Sequence, residues 1–336
     1  MMNQLGDAIK TFIDNDRSST KKKLAETGLR YYEGEHDILK KRIFFTDGKG
    51  IIKEDLLRSN YKIPHPYFNL LAKQQAQYML SGKENRFNSD IPELQTELDI
   101  YFNDNECFEA QLYKFLLGTI TKGWEFMYAY RDDDGRTAFA CADSLGVVEV
   151  RAKETQDHCD YVIRHYIDRY DNECRAIKRI EVWDSTQTYY YVQVGEGDIE
   201  LDDTEEFNPK PHTMLKKGKK LYRDDYGEIP FYRLDNNDKQ CSDLKLIKAL
   251  IDDYDVMNVG LSNNIEDTQE ALYVVRGFDG DDLDELIENI KAKKHIGVDE
   301  NGGVDVQTVD IPVEARKTKM EIDKENIFFF GMGVNT

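Results

Sequence analysis

Cysteine is scarce in this sequence, and the few cysteines present form no recognisable pattern. There are five in 336 residues, widely spaced and without a C-x-x-C pair. Neither a disulfide framework nor a zinc site is therefore expected, and reduced thiols favour a cytoplasmic setting. The sequence also lacks an apolar run of about 18 residues and a signal-peptide core. We therefore expect neither secretion nor a membrane span.

Basic residues are also in short supply. The 45 Lys and Arg face 65 Asp and Glu, which gives a formal charge of −20. A surface that grips phosphates needs clustered Lys and Arg, so tight DNA binding is not expected. An acidic protein can still handle DNA if its task is to let the duplex slide past without sticking.

Proline is rare as well, with seven residues, while 40% of the residues are apolar and 11% aromatic. This composition is typical of a folded chain rather than a disordered one. A length of 336 residues predicts two or three domains, each with its own core.

Catalytic motifs are missing from the sequence. The nearest approach to a P-loop, DGKGIIKED, lacks the spacing and the final Ser or Thr, and no G-x-S-x-G occurs. The acidic turns RDDDGR and GFDGDDLDE lack the order of a calcium loop. His65 lies between two prolines and is expected to be a turn or interface residue. We predict no catalytic residue, no metal site and no cofactor.

The first part of the chain has the periodicity of helices. Apolar residues at helical spacing predict helix over residues 3–33, with a basic turn at residues 21–23 that is expected to be solvated. An Asp47-Gly48 turn indicates a hairpin. Further helices are predicted from Phe68 to Met79 and across residues 92–123.

The middle of the chain has the alternation of strands. Tyr-rich runs predict an antiparallel β region over residues 124–235, although residues 195–220 are polar, have no period and are interpreted as a long surface loop. Helices followed by antiparallel strands indicate the α+β class.

A long helix is predicted over residues 242–276, beginning at Ser242 as the N-cap. Its apolar residues recur every three or four positions and form a stripe too narrow to fill a core on every side. That stripe contains Ile247, Leu250, Tyr254, Met257, Leu261 and Ile265. The other faces carry the acidic residues Asp252, Asp253, Asp255, Glu266 and Asp267.

A compact α/β insertion is predicted over residues 277–311, before a second long helix at residues 312–333. The polar side of the insertion's short helix carries Asp281, Asp282, Asp284, Glu285 and Glu288. The final FFFGMGVNT is expected to be an interruption of a longer chain rather than a natural end.

Four stretches, in this order and spacing, resemble the portal family of siphophages that infect Gram-positive bacteria. They are RYYEGEHDIL, NYKIPHPYFNLL with YMLSGKE, the SDLKLIKALIDDYDVMNVGLSNNIEDTQEALYVVRGF helix, and ENIFFFGMGVNT. The resemblance implies a mixed helical and antiparallel β wing at residues 1–235, a first stem helix at 242–276, a clip at 277–311 and a second stem helix at 312–333. The tunnel loop and crown would lie beyond residue 336.

The resemblance also implies a function. Portal subunits form a ring, usually of twelve, at one capsid vertex of a tailed bacteriophage, through which double-stranded DNA is packaged and ejected. The stripe would be the subunit interface, the acids of the insertion would dock the terminase large subunit and the head-completion or adaptor protein, and the helix acids would face the channel. Capsid and scaffolding proteins would be further partners, in the virion and in the host cytoplasm during assembly.

Two other classes fit the same sequence. One is another phage structural protein, either a minor head protein or a head-tail adaptor, and the other is an enzyme with a Tyr-rich β core. An adaptor has little use for two channel-length helices, so the order of helix, insertion and helix favours the portal reading.

Overall fold

The structure is a computed structural model. It describes residues 2–46, 49–56, 58–81, 86–132, 135–153, 158–217, 220–268, 272–276, 303–307 and 312–334. Contacts divide the chain into two compact units. The first unit contains residues 1–35, 66–248 and 327–336, and the second contains 36–65 and 249–326.

Helices and antiparallel strands alternate in blocks along the chain. The helices are α1 Met2–Ser18, α2 Thr20–Tyr32, α3 Tyr67–Leu80, α4 Pro92–Leu98, α5 Glu106–Lys122, α6 Leu244–Thr268 and α7 Val313–Phe330. The strands are β1 Phe44–Thr46, β2 Ile52–Glu54, β3 Trp124–Arg131, β4 Thr137–Ala142, β5 Val147–Val150, β6 Tyr161–Tyr170, β7 Ala176–Trp183, β8 Gln187–Val194, β9 Glu200–Leu201, β10 Lys210–Pro211, β11 Thr213–Lys217, β12 Lys220–Asp224, β13 Phe231–Asp235, β14 Leu272–Arg276 and β15 Gly303–Gln307. The predicted α+β class is confirmed.

Two larger antiparallel sheets and the two-stranded sheet β11-β12 form the β region of the first unit. Of the first two, the smaller sheet has the strand order β13-β3-β4, and the larger sheet has the order β10-β8-β7-β6-β5 with β9 paired to β8. The predicted loop over residues 195–220 is wrong in part, because β9, β10 and β11 lie within it. Strands of two residues are too short to show the alternation from which a strand is predicted.

The core of the first unit covers both faces of the larger sheet. Neighbouring residues on one strand point to opposite faces, so Val147 packs with Trp124 and Trp183, whereas Val148 packs with Ile9 of α1. The smaller sheet therefore covers one face and α1 covers the other. Each face buries its own apolar cluster.

Buried charges join α2 and α5 to this core. The predicted solvated turn at residues 21–23 is wrong, because Lys22 is only 3% exposed and its ammonium donates to the carbonyl oxygens of Ser144 and Val147. Lys122, at the end of α5, forms ion pairs with Glu125 and with Asp143. A lysine buried in this way needs acceptors on several elements, and the fold supplies them.

The second unit contains most of α6 and α7 and the two-stranded sheets β1-β2 and β14-β15. The predicted helix over residues 242–276 is too long, because α6 ends at Thr268 and Leu272–Arg276 forms β14, which pairs with β15. Leu, Tyr and two Val residues favour a strand there. Residues 36–65, predicted in the wing, belong to this unit. Most of the predicted insertion lies outside the described residues.

Candidate functional site

The long helix α6 presents one face to the interior of the protein. Residues of low exposure recur along it at intervals of three or four positions, as one face of a helix requires. They are Leu244, Ile247, Ile251, Asp255, Val259 and Asn263. This face shares Ile247 with the stripe that the sequence predicted, and its other members differ. Two of them, Asp255 and Asn263, are polar.

The predicted stripe is only partly available to a neighbour. Ile247 is 1% exposed and lies inside the chain, so its assignment to a subunit interface is wrong. Four members are half-buried and Ile265 is 48% exposed. Those four are Leu250, Tyr254, Met257 and Leu261. An interface through these five residues stays a prediction.

The polar centre of the buried face is Asp255, which is 1% exposed. One carboxylate oxygen is 2.6 Å from Nδ1 of His36. The other is 2.8 Å from Nδ1 of His65 and accepts the backbone N–H of His65 at 2.9 Å. Burial by itself would raise the pKa of Asp255, but the hydrogen bonds from His36 and His65 outweigh it and hold that pKa below its ordinary value.

Two further side chains of α6 accept backbone N–H groups from the segment that precedes His65. Oδ1 of Asn263 accepts the N–H of Tyr61 at 2.8 Å, and Oδ1 of Asp267 accepts the N–H of Ser59 at 3.1 Å. Residues 59–65, here called the strap, therefore run along α6 in the opposite direction to the helix. The three acceptors share one i+4 row.

The lengths of the strap and of this row agree. Twelve residues of α-helix between positions 255 and 267 rise about 18 Å. Six residues of extended chain between positions 59 and 65 span about 20 Å. The prolines that flank His65 favour extended backbone in the residues before them. The strap can therefore meet all three acceptors without a bend or a gap.

The structure corrects the prediction that five acids of α6 face a channel. Asp255 is buried and Asp267 is half-buried, and both bind the strap, so their carboxylates do not line an open surface. Asp253 pairs with Lys319 of α7 at 2.5 Å. Of the remaining two, Glu266 is exposed and Asp252 is half-buried. The acids of the predicted insertion, residues 281–288, lie outside the described residues.

Helix α7 is fastened to α6 within the second unit. Lys319 bridges Asp253 and Asp323, and these hydrogen bonds raise the pKa of Lys319. Gly260 lies opposite Arg316, and a Cβ at position 260 would be 3.1 Å from the guanidinium. A larger residue at this position would crowd the contact between the two helices.

The side chains of this site hold the strap on α6. His36 is 0% exposed, so no substrate can reach it. Among the described residues no three His, Cys, Asp or Glu side chains are grouped as a metal ion would need. No helix in the described parts of the chain has the length and apolar character needed to cross a bilayer. Sequence reasoning missed His36 and Asn263. For Asn263 the signal was a polar residue at a core position of the i+4 row of α6, and no local pattern indicates His36.

These features describe a long helix that is held by an extended strap. The chain belongs to the phage portal protein family of the SPP1 Gp6-like type, whose model matches residues 12–336. This is a family of structural proteins.

Two relatives give the scale of the similarity. The portal protein of Bacillus phage SPP1 is 28% identical over 303 residues, which cover 90% of this chain and 58% of the relative. The portal protein of Clostridium phage phiCD119 is 23% identical over 316 residues, covering 90% and 67% of the two chains. The chain thus spans 58% of the length of the SPP1 protein.

A solved chain described as "Neck of empty GTA particle computed with C6 symmetry" superposes with a TM-score of 0.36 and 12% identity. The superposition covers 79% of this chain and 64% of that one. This score is too low to support a comparison of folds.

Proposed function

We propose that this chain is a subunit of a portal ring at one capsid vertex, through which double-stranded DNA is packaged and ejected. The observation that supports the proposal most is the family match over residues 12–336. Such a subunit acts in the virion and is assembled in the host cytoplasm, and its role is structural rather than enzymatic. By analogy with the family, the ring has twelve copies.

The exposed side of α6 suits a contact between copies. The strap occupies the face that contains Asp255 and Asn263, and α7 pairs with Asp253. At about 100° per residue, Leu250, Met257 and Leu261 lie on another side of the helix. Their half-buried side chains can pack against a neighbouring copy in the head-to-tail contact that a closed ring requires.

The charge of the chain suits a passage for DNA. Each phosphate that a Lys or Arg neutralises adds salt-dependent affinity, which would slow the movement of a duplex. The net charge of −20 opposes such contacts. Among the helix acids, Glu266 and Asp252 are the remaining candidates for a channel-facing role.

The insertion over residues 277–311 is proposed to dock the terminase large subunit and, later, the head-completion or adaptor protein. An acidic insertion between two long helices must project from one end of a ring. Capsid and scaffolding proteins would contact the rest of the subunit. The acids proposed for docking are Asp281, Asp282, Asp284, Glu285 and Glu288.

Native mass spectrometry of the purified full chain tests ring formation. We expect a closed oligomer for the natural sequence and a loss of assembly mass for Leu250→Asp with Met257→Asp, because the charges would be buried at the contact. Ile265→Asp is a milder variant on the same stripe, at a position 48% exposed, and should not disturb folding.

A matched control is Leu24→Asp, which adds the same charge to α2 at a position 50% exposed. Circular dichroism should be unchanged for Leu24→Asp and for Ile265→Asp. A natural chain that stays monomeric at high concentration would contradict the proposed function. Stripe variants that assemble like the control would remove the stripe from the interface.

A further inference from the structure

A two-stranded hairpin in the second unit exposes its apolar residues to solvent. Within the described parts of the chain, strands β1 and β2 form a sheet of two strands, and every residue of both is exposed. We call residues 41–46 and 49–56 the arm. Its exposed apolar side chains are Phe44 at 56%, Phe45 at 46%, Ile51 at 54%, Ile52 at 72% and Leu56 at 85%.

This exposure is unusual for a hairpin. A two-stranded hairpin is at best marginally stable alone in water, and it usually packs an apolar face against something. The register pairs Phe44 with Glu54 and Thr46 with Ile52, so Phe44 and Ile52 lie on the same face. Phe45 and Lys53 lie on the other face. An exposed apolar cluster of this kind commonly marks a binding surface.

The charge of the arm indicates what would cover it. Its residues contain four Lys and Arg against two Asp and Glu, a formal charge of +2. The whole chain carries −20, so subtracting this +2 leaves −22 on the remaining residues. A basic, apolar arm on an acidic protein is complementary to another copy of the same chain. Opposite charges across an interface steer association and select the partner.

The arm is also held in place from both sides. His36 precedes it and His65 follows it, and both bind the buried carboxylate of Asp255. The strap adds the hydrogen bonds from Ser59 and Tyr61 to α6. Ordering the base of the arm in the free subunit reduces the conformational entropy that is lost on docking. The clamp at Asp255 thus presents the arm to a partner.

We propose that the arm docks on an acidic surface of a neighbouring copy, with Phe44 and Ile52 as its apolar contacts and Arg42 and Lys53 as its charged ones. The inference rests on the proposed function, since a closed ring brings each copy beside another. A head-to-tail array needs two different surfaces on each subunit. The arm is one of them, and the acidic remainder of the chain supplies the other.

The test uses a double variant of the full chain that carries both Phe44→Ser and Ile52→Ser. It is compared with a control double variant on α3. Tyr78→Ser with Met79→Ser removes apolar side chains that are 81% and 54% exposed elsewhere on the protein. We expect the arm variant to raise the concentration at which half of the assembly dissociates by about tenfold or more, since central apolar anchors dominate interfaces. The control should leave that concentration unchanged.

A charge variant separates docking from folding. Arg42→Glu with Lys53→Glu changes exposed side chains. It removes the surface ion pair of Arg42 with Glu54 at 3.7 Å, which contributes little to stability, so circular dichroism should be unchanged even if the serine variant is destabilised. This variant should also weaken assembly, and the natural ring should dissociate more readily at high salt.

The outcomes distinguish the inference from the function on which it rests. If the natural chain forms rings and both arm variants assemble equally well, the arm is not a subunit contact, while the proposed function stands. If rings persist but the variants lose DNA packaging in a complementation assay, the arm binds a different protein and the inference is wrong. If the natural chain forms no ring, the proposed function fails first.

Discussion

The least exposed carboxylates that the structure describes in the two units are held in different ways. Glu125 in the first unit is 2% exposed and lies against the ammonium of Lys122 and the backbone N–H of Ser144. Asp255 in the second unit is 1% exposed and receives hydrogen bonds from His36 and His65. Glu125 is held by one ion pair and backbone donors, whereas Asp255 is held by imidazole and backbone donors.

The difference appears in the direction of the two pKa shifts. Burial raises the pKa of Glu125 to about 7, and Lys122 offsets this only in part because its ammonium also pairs with Asp143. Burial opposes ionisation of Asp255 too, yet three donors at its two oxygens hold its pKa below the ordinary value. At Glu125 desolvation outweighs the favourable contacts of the carboxylate, whereas at Asp255 the hydrogen bonds outweigh desolvation.

Replacing Asp255 should have the largest effect. Asp255→Ala would leave the donors of His36 and His65 buried beside a gap, which should lower the free energy of unfolding by about 3 kcal/mol. Asp255→Asn keeps the shape and one acceptor oxygen, so its loss should be smaller. Urea unfolding measures both variants, and hydrogen exchange at the amides of the strap reports whether that segment is released.

A decrease below about 1 kcal/mol for Asp255→Ala would show that the strap is held by apolar contacts instead. Equal losses for the Ala and Asn variants would show that the charge of the carboxylate matters more than its remaining acceptor. Neither result is expected from the geometry, in which both oxygens of Asp255 are used.

The long helix was predictable from sequence, whereas its partner was not. Ser242 and the apolar stripe predict a helix start, and Oγ of Ser242 does accept the N–H of Leu244. An acid on a helix is usually solvated, so the sequence predicts that Asp255 lies on a face open to solvent. Its partner His65 lies 190 positions away in the chain. No local pattern carries information about such a contact.

A contact with residues far away in the sequence also explains why the prediction of a solvated Lys22 is wrong. A run of three lysines is usually a solvated face, but the acceptors for this ammonium are carbonyls of Ser144 and Val147, on another part of the fold. The prediction of helix at β14 is wrong for a different reason. The apolar residues of β14 also continue the helical stripe of α6. Apolar runs of that length do not distinguish helix from strand.

Glu125→Gln should have a moderate effect that depends on pH. A carboxyl pKa raised in the folded state means that folding retains a proton that the unfolded chain has released. Stability from this group is therefore fully present below about pH 4.5 and is lost as pH rises through the folded pKa of about 7. Relative to the Gln variant, the natural chain should lose about 2 kcal/mol between pH 5 and pH 8. The fluorescence of the adjacent Trp124 can follow unfolding across this range.

The difference between the two pH profiles isolates Glu125, since every other residue is the same in both proteins. A difference that is flat from pH 5 to pH 8 would mean that Glu125 stays ionised beside Lys122 throughout. A difference that grows with pH would show that Glu125 is protonated in the folded protein at the low end of this range, as burial predicts. In the second unit, Asp255 should add no such slope above pH 5, because its lowered pKa keeps it ionised there.

Removing one of the α6 side chains that accept a hydrogen bond from the strap should have the smallest effect. Asn263→Ala deletes the oxygen that accepts the N–H of Tyr61, a half-buried group that water can reach in part. The loss should be about 1 kcal/mol, with exchange of the Tyr61 amide faster by about fivefold. Glu266→Ala, at the exposed position three residues on, is the matched control and should change neither quantity. If both variants behave alike, Asn263 does not hold the strap, and Asp255 alone secures it. If exchange also quickens at His65, the three acceptors act as one unit, and the strap opens from Ser59 toward the buried carboxylate.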